Sequence, residues 1–552
     1  MRTYLLAAAL TLPAAVHAQQ ARVPARTVPA AMSAITEADL KRDLYFLGGD
    51  GMRGREAGTL DEMRASVWLA AELQKIGVAP MGEDGTYFQW WHMRRTRLGA
   101  SSVIKLGDRS FALWSDIAVS SNNEADVSGT IVWAGNGTDT TIDVRGKIAV
   151  AQLVAPAPGG RETSVNSPEY RYTNRAVPAA GNALVQRGAI AVVLIADSVA
   201  EKAFDGYKNI RARGTYAVDG LAGGRGGGRG AAAPDRPNGT GAACGGPSIA
   251  VDTTAGRGGG GRAGAGGGGR GGAGGGRGGG LGGAAAPIFL VRQQAYNDAR
   301  GAAGKEATIR LFRESFTYPS VNIVGVVRGT DPALRNEYVL FSSHQDHDGV
   351  RYEINGDSIW NGADDNGTVS VALLAAARAF VKQPGRRSAL FVYHGAEERG
   401  LLGSRYYVQH PIVPLAQTVA VLNGDMLGRN SPDSASIMGV QPPHMNSREL
   451  VAMALQANDL TGKFKLDSIW DRPTHVEGWY RRSDHLPYAE SCVPALMYSA
   501  NLHPDYHTPR DGPETINYPK LYRMTQWMYL TGWFVANTDK RPALEPVFDV
   551  RR

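Results

Sequence analysis

The chain has 552 residues, of which 43% are hydrophobic, so it is too long for one typical domain and apolar enough for a sizeable core. Its formal net charge is +7, which would suit a nucleic-acid or membrane partner. Most of that excess lies in the segment 221–286, which holds seven arginines and two aspartates. The rest of the chain is close to neutral, so composition disfavours a nucleic-acid-binding protein.

The amino terminus is typical of a secretion signal. Arg2 is followed by a short apolar run at 5–15 and by small residues before Gln19, which is the pattern of an exported protein. We therefore predict a signal peptide at 1–18, a flexible lead-in at 19–34, and export to a periplasm or to the medium. No later stretch is long and apolar enough for a membrane span, and we expect none.

Two helices are predicted after the lead-in. Thr36 can cap the first, with Asp39 as the acidic partner of a capping box, and leucines spaced at i, i+4 and i+7 then share one helical face. The second helix is predicted over 61–76 and ends at Gly77. We assign both helices to the amino-terminal part of a larger domain, at 35–118.

A smaller α/β module is predicted at 119–312, inserted into the larger domain. A connecting helix is expected at 179–187, and short β-rich runs predict strands at 129–133, 146–150, 189–195 and 287–291. The glycine- and arginine-rich segment 221–286 interrupts this module. Because such a composition cannot build a packed core, we expect that segment to be disordered.

Strand-like and helical patterns alternate over 313–540. Apolar runs predict strands at 321–327, 337–343, 389–393, 418–422 and 493–499. Helical patterns lie between them, at 368–382 and 401–410. The alternation predicts an α/β fold with a mixed, largely parallel sheet flanked by helices, in which sites gather at the carboxyl ends of strands. Residues 541–552 are predicted to be a tail.

Acidic and imidazole residues follow these strands. Five segments deliver them to strand ends or to a turn that opens a helix: His344, Asp364-Asp365, Glu397-Glu398, Asp425 and His507. Each alone has an ordinary explanation, such as a helix cap or a structural histidine, but five together favour a site. Imidazole and carboxylate ligands without thiolates are typical of catalytic Zn²⁺. One bridging carboxylate would give each of two metals three ligands and an open position.

As a set, these motifs resemble the M28 zinc aminopeptidases. The residues that carry the resemblance are HQDHDG at 344–349, NGADDNG at 361–367, GAEERGLLGS at 395–404, NGDML at 423–427 and YHTPRD at 506–511. The resemblance covers 315–540 and 35–95, while 120–310 resembles the protease-associated domain often inserted in these enzymes. It implies an exported, two-zinc exopeptidase, with an aminopeptidase as the favoured activity and a peptide as substrate.

The resemblance also implies a ligand set. His344, Asp365 and Asp425 would hold one zinc, and Asp365, Glu398 and His507 would hold the other. The choice of Asp365 over the preceding aspartate depends on how the Asp-Asp-Asn-Gly turn is aligned.

Further roles follow from the same resemblance. Glu397 would be the general base, and Asp346 would orient the imidazole of His344. Tyr506 would steady the oxyanion or simply pack beside the next histidine. Residues 483–485 are expected to have a structural, pocket-shaping role.

Several alternatives stay open at this point. A carboxypeptidase needs a basic pocket, and Arg399, Arg429 and Arg510 lie near the motifs. A glutaminyl cyclase would use one zinc, and a non-catalytic binding protein would lack some of the five ligands. Oligomeric state is not predicted. The sequence also leaves open whether Cys244 and Cys492 pair, although we expect no bridge.

Overall fold

The computed structural model describes residues 27–154, 167–220 and 286–550. The predicted signal peptide lies outside these ranges, as does the segment 221–286 except for its last residue. None of the helices within these ranges has the length and apolarity that a bilayer crossing requires.

Local sequence signals set the limits of the helices. Thr36 caps the first helix by accepting a hydrogen bond from the Asp39 N–H, and its hydroxyl donates to the Asp39 carboxylate. The second helix ends at Gly77, whose φ of 93° suits a residue without a Cβ. The α-helices are α1 (Glu37–Leu47), α2 (Leu60–Ile76), α3 (Pro168–Gln186), α4 (Ser198–Lys202), α5 (Phe204–Ala212), α6 (Tyr296–Gly301), α7 (Val369–Lys382), α8 (Leu402–Gln409), α9 (Arg448–Leu460), α10 (His485–Glu490) and α11 (Tyr518–Asn537).

The strands fall into two larger sheets and one hairpin. They are β1 (Ala79–Pro80), β2 (Phe88–Leu98), β3 (Val103–Leu106), β4 (Arg109–Ser110), β5 (Ile117–Val119), β6 (Ala125–Trp133), β7 (Ile148–Gln152), β8 (Ala191–Ile195), β9 (Thr215–Val218), β10 (Ile288–Val291), β11 (Glu306–Leu311), β12 (Arg313–Val327), β13 (Tyr338–His344), β14 (Gly349–Ile354), β15 (Asp357–Trp360), β16 (Ser388–His394), β17 (Thr418–Gly424), β18 (Ser434–Met438), β19 (Lys465–Leu466) and β20 (Ala495–Ser499).

The large sheet has the order β19-β18-β20-β17-β13-β16-β12-β2-β9, with β1 beside β12. Its four central strands, β20, β17, β13 and β16, are parallel, and Val339 of β13 pairs with Ala389 of β16 and Ala420 of β17. The strands beyond β16 and the contact between β18 and β20 are antiparallel. The predicted mixed α/β fold is confirmed, with the parallel pairing concentrated at the centre of the sheet.

Helices cover both faces of this sheet. Because successive strand residues point to opposite sides, Phe341 and Phe391 face α1, α2, α7, α9 and α11, where Phe380 packs against both rings. Leu340 lies on the opposite face, in a cluster that includes Tyr407 of α8 and residues of α10. The central strands are therefore buried on both sides and their sequences read as continuous apolar runs.

The smaller sheet has the order β4-β3-β11-β6-β7-β8-β10-β5. Its strands β6, β7, β8 and β10 are parallel, and α3 and α5 cover one face through buried residues such as Leu184 and Phe204. Strand β9, although it lies between β8 and β10 in the sequence, pairs with β2 of the large sheet, with Met93 opposite Val218. The domain boundaries at 118/119 and 312/313 stay predictions.

The expectation of unpaired cysteines was wrong for Cys492. This residue takes part in a disulfide. The chain holds one other cysteine, Cys244, which lies outside the described residues. Pairing was missed because the spacing of cysteines in a sequence does not tell which loops meet in space.

Candidate metal centre

Imidazole and carboxylate side chains from five segments meet at the carboxyl edge of the large sheet. The segments follow β13, β16, β17 and β20 or precede α7, and their residues are His344, Asp365, Glu397, Glu398, Asp425 and His507. The carboxyl ends of parallel strands share one edge, and this is the edge at which we expected these side chains.

One group of potential ligands consists of His344, Asp365 and Asp425. Nε2 of His344 lies 3.3 Å from Oδ1 of Asp365 and 3.8 Å from Oδ2 of Asp425. All three side chains are buried. Such separations are those of ligand atoms around one ion with bonds of about 2.0–2.2 Å.

A second group lies beside it and shares Asp365. Nε2 of His507 is 3.1 Å from Oδ2 of Asp365 and 3.2 Å from Oε1 of Glu398. His347 completes the group, with Nδ1 2.8 Å from Oε1 of Glu398 and 3.9 Å from Oδ2 of Asp365. Asp365 thus offers one oxygen to each group, which is how a carboxylate bridges two metals.

The sequence prediction missed His347. It assigned one imidazole, that of His344, to the end of this strand and none to the loop that follows β13. The signal that could have found the second is the His-x-x-His spacing, which puts another imidazole in the same loop. Periodicity cannot predict where a loop side chain points, so only the folded chain brings His347 beside Glu398.

Several buried polar atoms at the centre have no hydrogen-bond partner among the residues that the structure describes. They include Nε2 of His344, both ring nitrogens of His347 and Oε1 of Glu398. Unsatisfied buried donors or acceptors cost about 1–3 kcal/mol each, and native proteins have few of them. Cations bound between these atoms would satisfy them, so the residues present fit divalent metal ions.

The turn before α7 aims Asp365 at both groups and Asp364 away from them. The carboxylate of Asp511 accepts hydrogen bonds from the main-chain N–H groups of Asp364 and Asp365 at 3.0–3.1 Å. Oδ1 of Asp364 accepts the N–H of Gly428 at 2.6 Å, and Oδ2 lies 3.5 Å from Nε2 of His503. The geometry thus agrees with the choice of Asp365.

Asp346 acts differently from our expectation. Nδ1 of His344 lies 3.1 Å from the main-chain oxygen of Asp346, and 3.9 Å from its carboxylate. The carboxylate instead accepts hydrogen bonds from the N–H groups of Glu397 and Glu398, at 2.9 and 3.3 Å. It therefore holds the two-glutamate turn, because those N–H groups are nearer than the imidazole.

Arg55 links the loops on which these residues lie. Its buried guanidinium donates to the carbonyl oxygens of Leu47, Gln345, Asn361 and Gly362, at 2.7–2.9 Å. Burial lowers its pKa to about 10, so the group stays charged near neutral pH. One side chain thereby joins α1, the loop after β13 and the turn before α7.

Glu397 and Glu398 divide into two roles. Oε2 of Glu397 lies 3.8 Å from Nε2 of His344, whereas Glu398 contacts His347 and His507. Burial raises the pKa of Glu397 well above its usual value. Burial also disfavours the charged form of Glu398, but the imidazoles of His507 and His347 outweigh it and hold the pKa of that carboxyl well below its usual value.

Asp348 contacts His507 at Nδ1, the ring nitrogen that does not face the ligand group. Its Oδ2 lies 3.2 Å from Nδ1 of His507. Arg213, which lies between α5 and β9, donates to Oδ1 and to the main-chain oxygen of Asp348, both at 2.9 Å. Burial opposes ionisation, but His507 and Arg213 outweigh it and lower the pKa of Asp348 to about 2.

The metal-ligand groups lie at a cleft of about 480 Å³. Glu397, Tyr506 and Arg482 line it from the large sheet, and Arg213 and Tyr216 line it from the chain segment that follows α5. Arg482 donates to the phenol oxygen of Tyr506 at 2.9 Å. The ring of Tyr506 packs on His507, with 3.9 Å between the ring centres.

The arginines that left a carboxypeptidase open are paired with carboxylates of the chain. Arg399 donates to Asp348 and Glu56, while Arg429 and Arg510 both donate to Asp505. Their charges are therefore already matched by internal partners.

Residues 483–485 are buried behind the centre. The hydroxyl of Ser483 accepts a hydrogen bond from Asn423 at 2.7 Å, and Asp484 accepts one from Ser404. These contacts fit the structural role expected for the segment.

Comparison with known sequences identifies the family of this region. Residues 322–531 match peptidase family M28. Aminopeptidase YwaD of Bacillus subtilis is 27% identical over 246 residues, which are 43% of this chain and 49% of that protein. Leupeptin-inactivating enzyme 1 of Streptomyces exfoliatus is 34% identical over 137 residues, 24% of this chain and 28% of that protein. The match thus spans about half or less of these relatives.

Solved structures show the same fold over nearly the whole chain. An aminopeptidase from Aneurinibacillus sp. strain AM-1 has a TM-score of 0.50 at 17% identity, covering 94% of this chain and 98% of that one. BSAP, a zinc aminopeptidase from Bacillus subtilis, has a TM-score of 0.50 at 18% identity, covering 96% and 100%. All of the predicted ligands lie within residues 322–531, the region that matches peptidase family M28.

Proposed function

We propose that the protein is an exported, zinc-dependent aminopeptidase that removes residues from the amino terminus of peptides. The observation that carries this proposal is the pair of ligand groups that share Asp365 and lie at a cleft. The match to peptidase family M28 supports it, as do two of the similar proteins, YwaD and BSAP, which are named as aminopeptidases.

The ligand assignment is part of the proposal. His344, Asp365 and Asp425 hold one Zn²⁺, and Asp365, Glu398 and His507 hold the other. Zn²⁺ bound there supplies a water of lowered pKa and polarises the scissile carbonyl. Imidazole and carboxylate ligands in a cluster without thiolates support this metal.

Glu397 is the proposed general base. Its carboxylate lines the cleft and lies 3.8 Å from His344, but it belongs to neither ligand group. Oε2 of Glu397 accepts a proton from the attacking water and then donates it to the leaving amine. Positioned proton transfer of this kind contributes roughly 10²–10⁴-fold to the rate.

Tyr506 is proposed to donate a hydrogen bond to the developing oxyanion. The phenol oxygen already accepts from Arg482, so its own hydrogen is available to the cleft. Burial raises the pKa of Tyr506 well above its usual value, so the phenol keeps that hydrogen. Donors aimed at the oxygen that gains charge are a common way to stabilise the transition state.

The smaller unit limits the cleft from one side. In our interpretation it is a protease-associated domain at 119–312, and its segment around Arg213 and Tyr216 forms part of the cleft wall. A wall at this position favours an exopeptidase, because a chain end can enter where a continuous polypeptide cannot pass. Export, predicted from the amino terminus, would bring the enzyme to peptides outside the cytoplasm.

A peptide-library digest tests the proposal. The purified protein should shorten peptides from the amino terminus, stop when that terminus is acetylated, and lose activity with a chelator. Shortening from the carboxyl terminus would support a carboxypeptidase. Loss of ammonia from N-terminal glutamine without hydrolysis would support a cyclase. A protein that binds no zinc and leaves every peptide unchanged would overturn the proposal.

A further inference from the structure

His347 is the one imidazole at the centre that the proposed mechanism does not use. Its side chain is fully buried, and neither ring nitrogen forms a hydrogen bond. A buried imidazole without a partner is costly, and nothing in the two three-residue ligand sets accounts for it. Its ring meets that of His507 edge to face, 5.1 Å apart.

The distances around His347 match a metal site with four protein ligands. Its Nδ1 is 2.8 Å from Glu398 and 3.9 Å from Asp365, and Nε2 of His507 is 3.2 and 3.1 Å from the same two oxygens. Four ligands placed tetrahedrally at Zn²⁺ bond lengths are about 3.3 Å apart. Three of the four measured distances are slightly shorter than this value and one is longer.

The short contact between His347 and Glu398 supports this interpretation. Nδ1 of His347 and Oε1 of Glu398 are 2.8 Å apart, yet neither atom has a hydrogen-bond partner. The two atoms are therefore close without being aligned for a hydrogen bond. Two ligand atoms that point towards the same metal ion are expected to lie this close without forming a hydrogen bond to each other.

The backbone keeps His347 in place. Its N–H donates to the carbonyl of Arg55. Gly362, with φ of 61°, passes so close that a Cβ there would lie 2.3 Å from Cγ of the imidazole. The position thus needs glycine for both the backbone conformation and the space beside the ring.

Within the described residues, the other ligand group has no fourth member of this kind. It consists of His344, Asp365 and Asp425. The carboxylate of Glu397, which belongs to neither group, lies at the cleft beside it. Four protein ligands are typical of closed, structural zinc sites, whereas three ligands leave a position for water.

We propose that His347 is a fourth ligand, with Asp365, Glu398 and His507, at a closed metal position, which leaves the position of His344, Asp365 and Asp425 as the open one. This inference rests on the proposed function for the identity of the metal. The two positions would then be unequal. The closed one would fill first and hold its ion more tightly, and the open one would be available to water and to the substrate carbonyl.

X-ray absorption on the unaltered protein is the first test. The protein is stripped with a chelator and loaded with one equivalent of Zn²⁺. Two imidazoles per zinc are expected, from His347 and His507, whereas a single imidazole would overturn the inference. Because no residue is changed, the result does not depend on how a variant folds.

Zinc affinity in variants is the second test. His347→Ala should weaken the tighter site roughly 10–100-fold or more, since even indirect supports of ligands cost that much, while two ions still bind at saturation. His347→Gln, which is closer in size, should show the same direction. His444→Ala is the control, because it removes a buried imidazole outside the centre.

The outcomes separate the two proposals. Two zinc ions held equally, with unchanged affinity in both His347 variants, would overturn the closed site and leave the aminopeptidase proposal standing. An unaltered protein that binds no zinc would overturn both. Cobalt absorption gives a further readout, since loss of the fourth ligand should lower the intensity of the visible bands of the first Co²⁺ bound.

Discussion

The large sheet and the smaller sheet each have a polar residue where a parallel strand ends, but the two residues have different surroundings. In the smaller sheet, Asp197 follows β8 and is fully bonded: it accepts from the N–H groups of Val199 and Ala200 and from the hydroxyl of Tyr172. In the large sheet, His344 ends β13 and leaves Nε2 buried without a hydrogen bond.

The difference shows what identifies a site. A carboxylate or imidazole at a strand end is not enough, because Asp197 is simply the cap of α4. The mark of the metal centre is a group of buried polar atoms whose partners are missing from the chain itself. That mark is found around His344, whereas the carboxylate of Asp197 has its hydrogen-bond partners within the described part of the chain.

Asp365→Asn should have the largest effect, because this carboxylate touches both ligand groups. We expect the bound zinc to fall from two ions to near none and peptidase activity to be lost, measured by metal analysis after dialysis. Asp364→Asn is the matched control and should keep its zinc. The reverse pattern would assign the bridge to Asp364.

Glu397→Gln sharpens the comparison between ligands and base. The variant should lose roughly 10²–10⁴-fold in kcat, because it has no group to accept the proton, while both zinc ions stay bound. Rates with an aminoacyl substrate and zinc content on the same sample check this. Activity near that of the unaltered enzyme would remove Glu397 from the proposed mechanism.

Arg213→Met tests whether the contact of Arg213 with Asp348 strengthens zinc binding at the metal centre. Arg213 reaches His507 only through Asp348, so it is a positioning residue. We expect zinc at the His507 position to bind roughly 10–100-fold more weakly, with partial recovery in Arg213→Lys. Unchanged zinc affinity alongside lower unfolding stability would make the contact purely structural.

Asp197→Ala should have the smallest effect, and it tests whether the strand end at Asp197 differs in function from the one at His344. Loss of a helix cap costs about 0.5–2 kcal/mol, so urea unfolding should shift by that amount while zinc content and kcat stay unchanged. Asp197→Asn keeps a capping oxygen and should lose less. A fall in zinc content would show that the two strand ends are less different than their bonding indicates.

Much of the fold was predictable because central strands are buried on both faces. Their continuous apolar runs gave β13, β16 and β17 to within one or two residues. The antiparallel outer strands were harder to predict from the sequence. In β2, exposed residues alternate with buried ones over 89–94, and its partner β12 lies more than two hundred residues further along the chain, so no local pattern identifies the pair.

Other misses also have physical causes. Helix α3 was predicted to begin only at 179, because a proline such as Pro178 usually ends or interrupts a helix. In the structure the helix begins at Pro168 and includes Pro178. The site prediction named the residues at strand ends, where position follows from topology. It missed His347 and gave Asp346 the wrong contact, because both depend on how one loop folds back on its neighbours.

Arg55 has a consequence for the entropy of metal uptake. Its guanidinium joins the end of α1, the loop after β13 and the turn before α7 through carbonyl oxygens alone, and none of the proposed zinc ligands takes part in those bonds. These three segments are therefore ordered before an ion arrives, and binding does not have to supply the free energy of ordering them. An ion can leave and return while the surrounding chain stays folded, unlike in small domains that fold only around their metal.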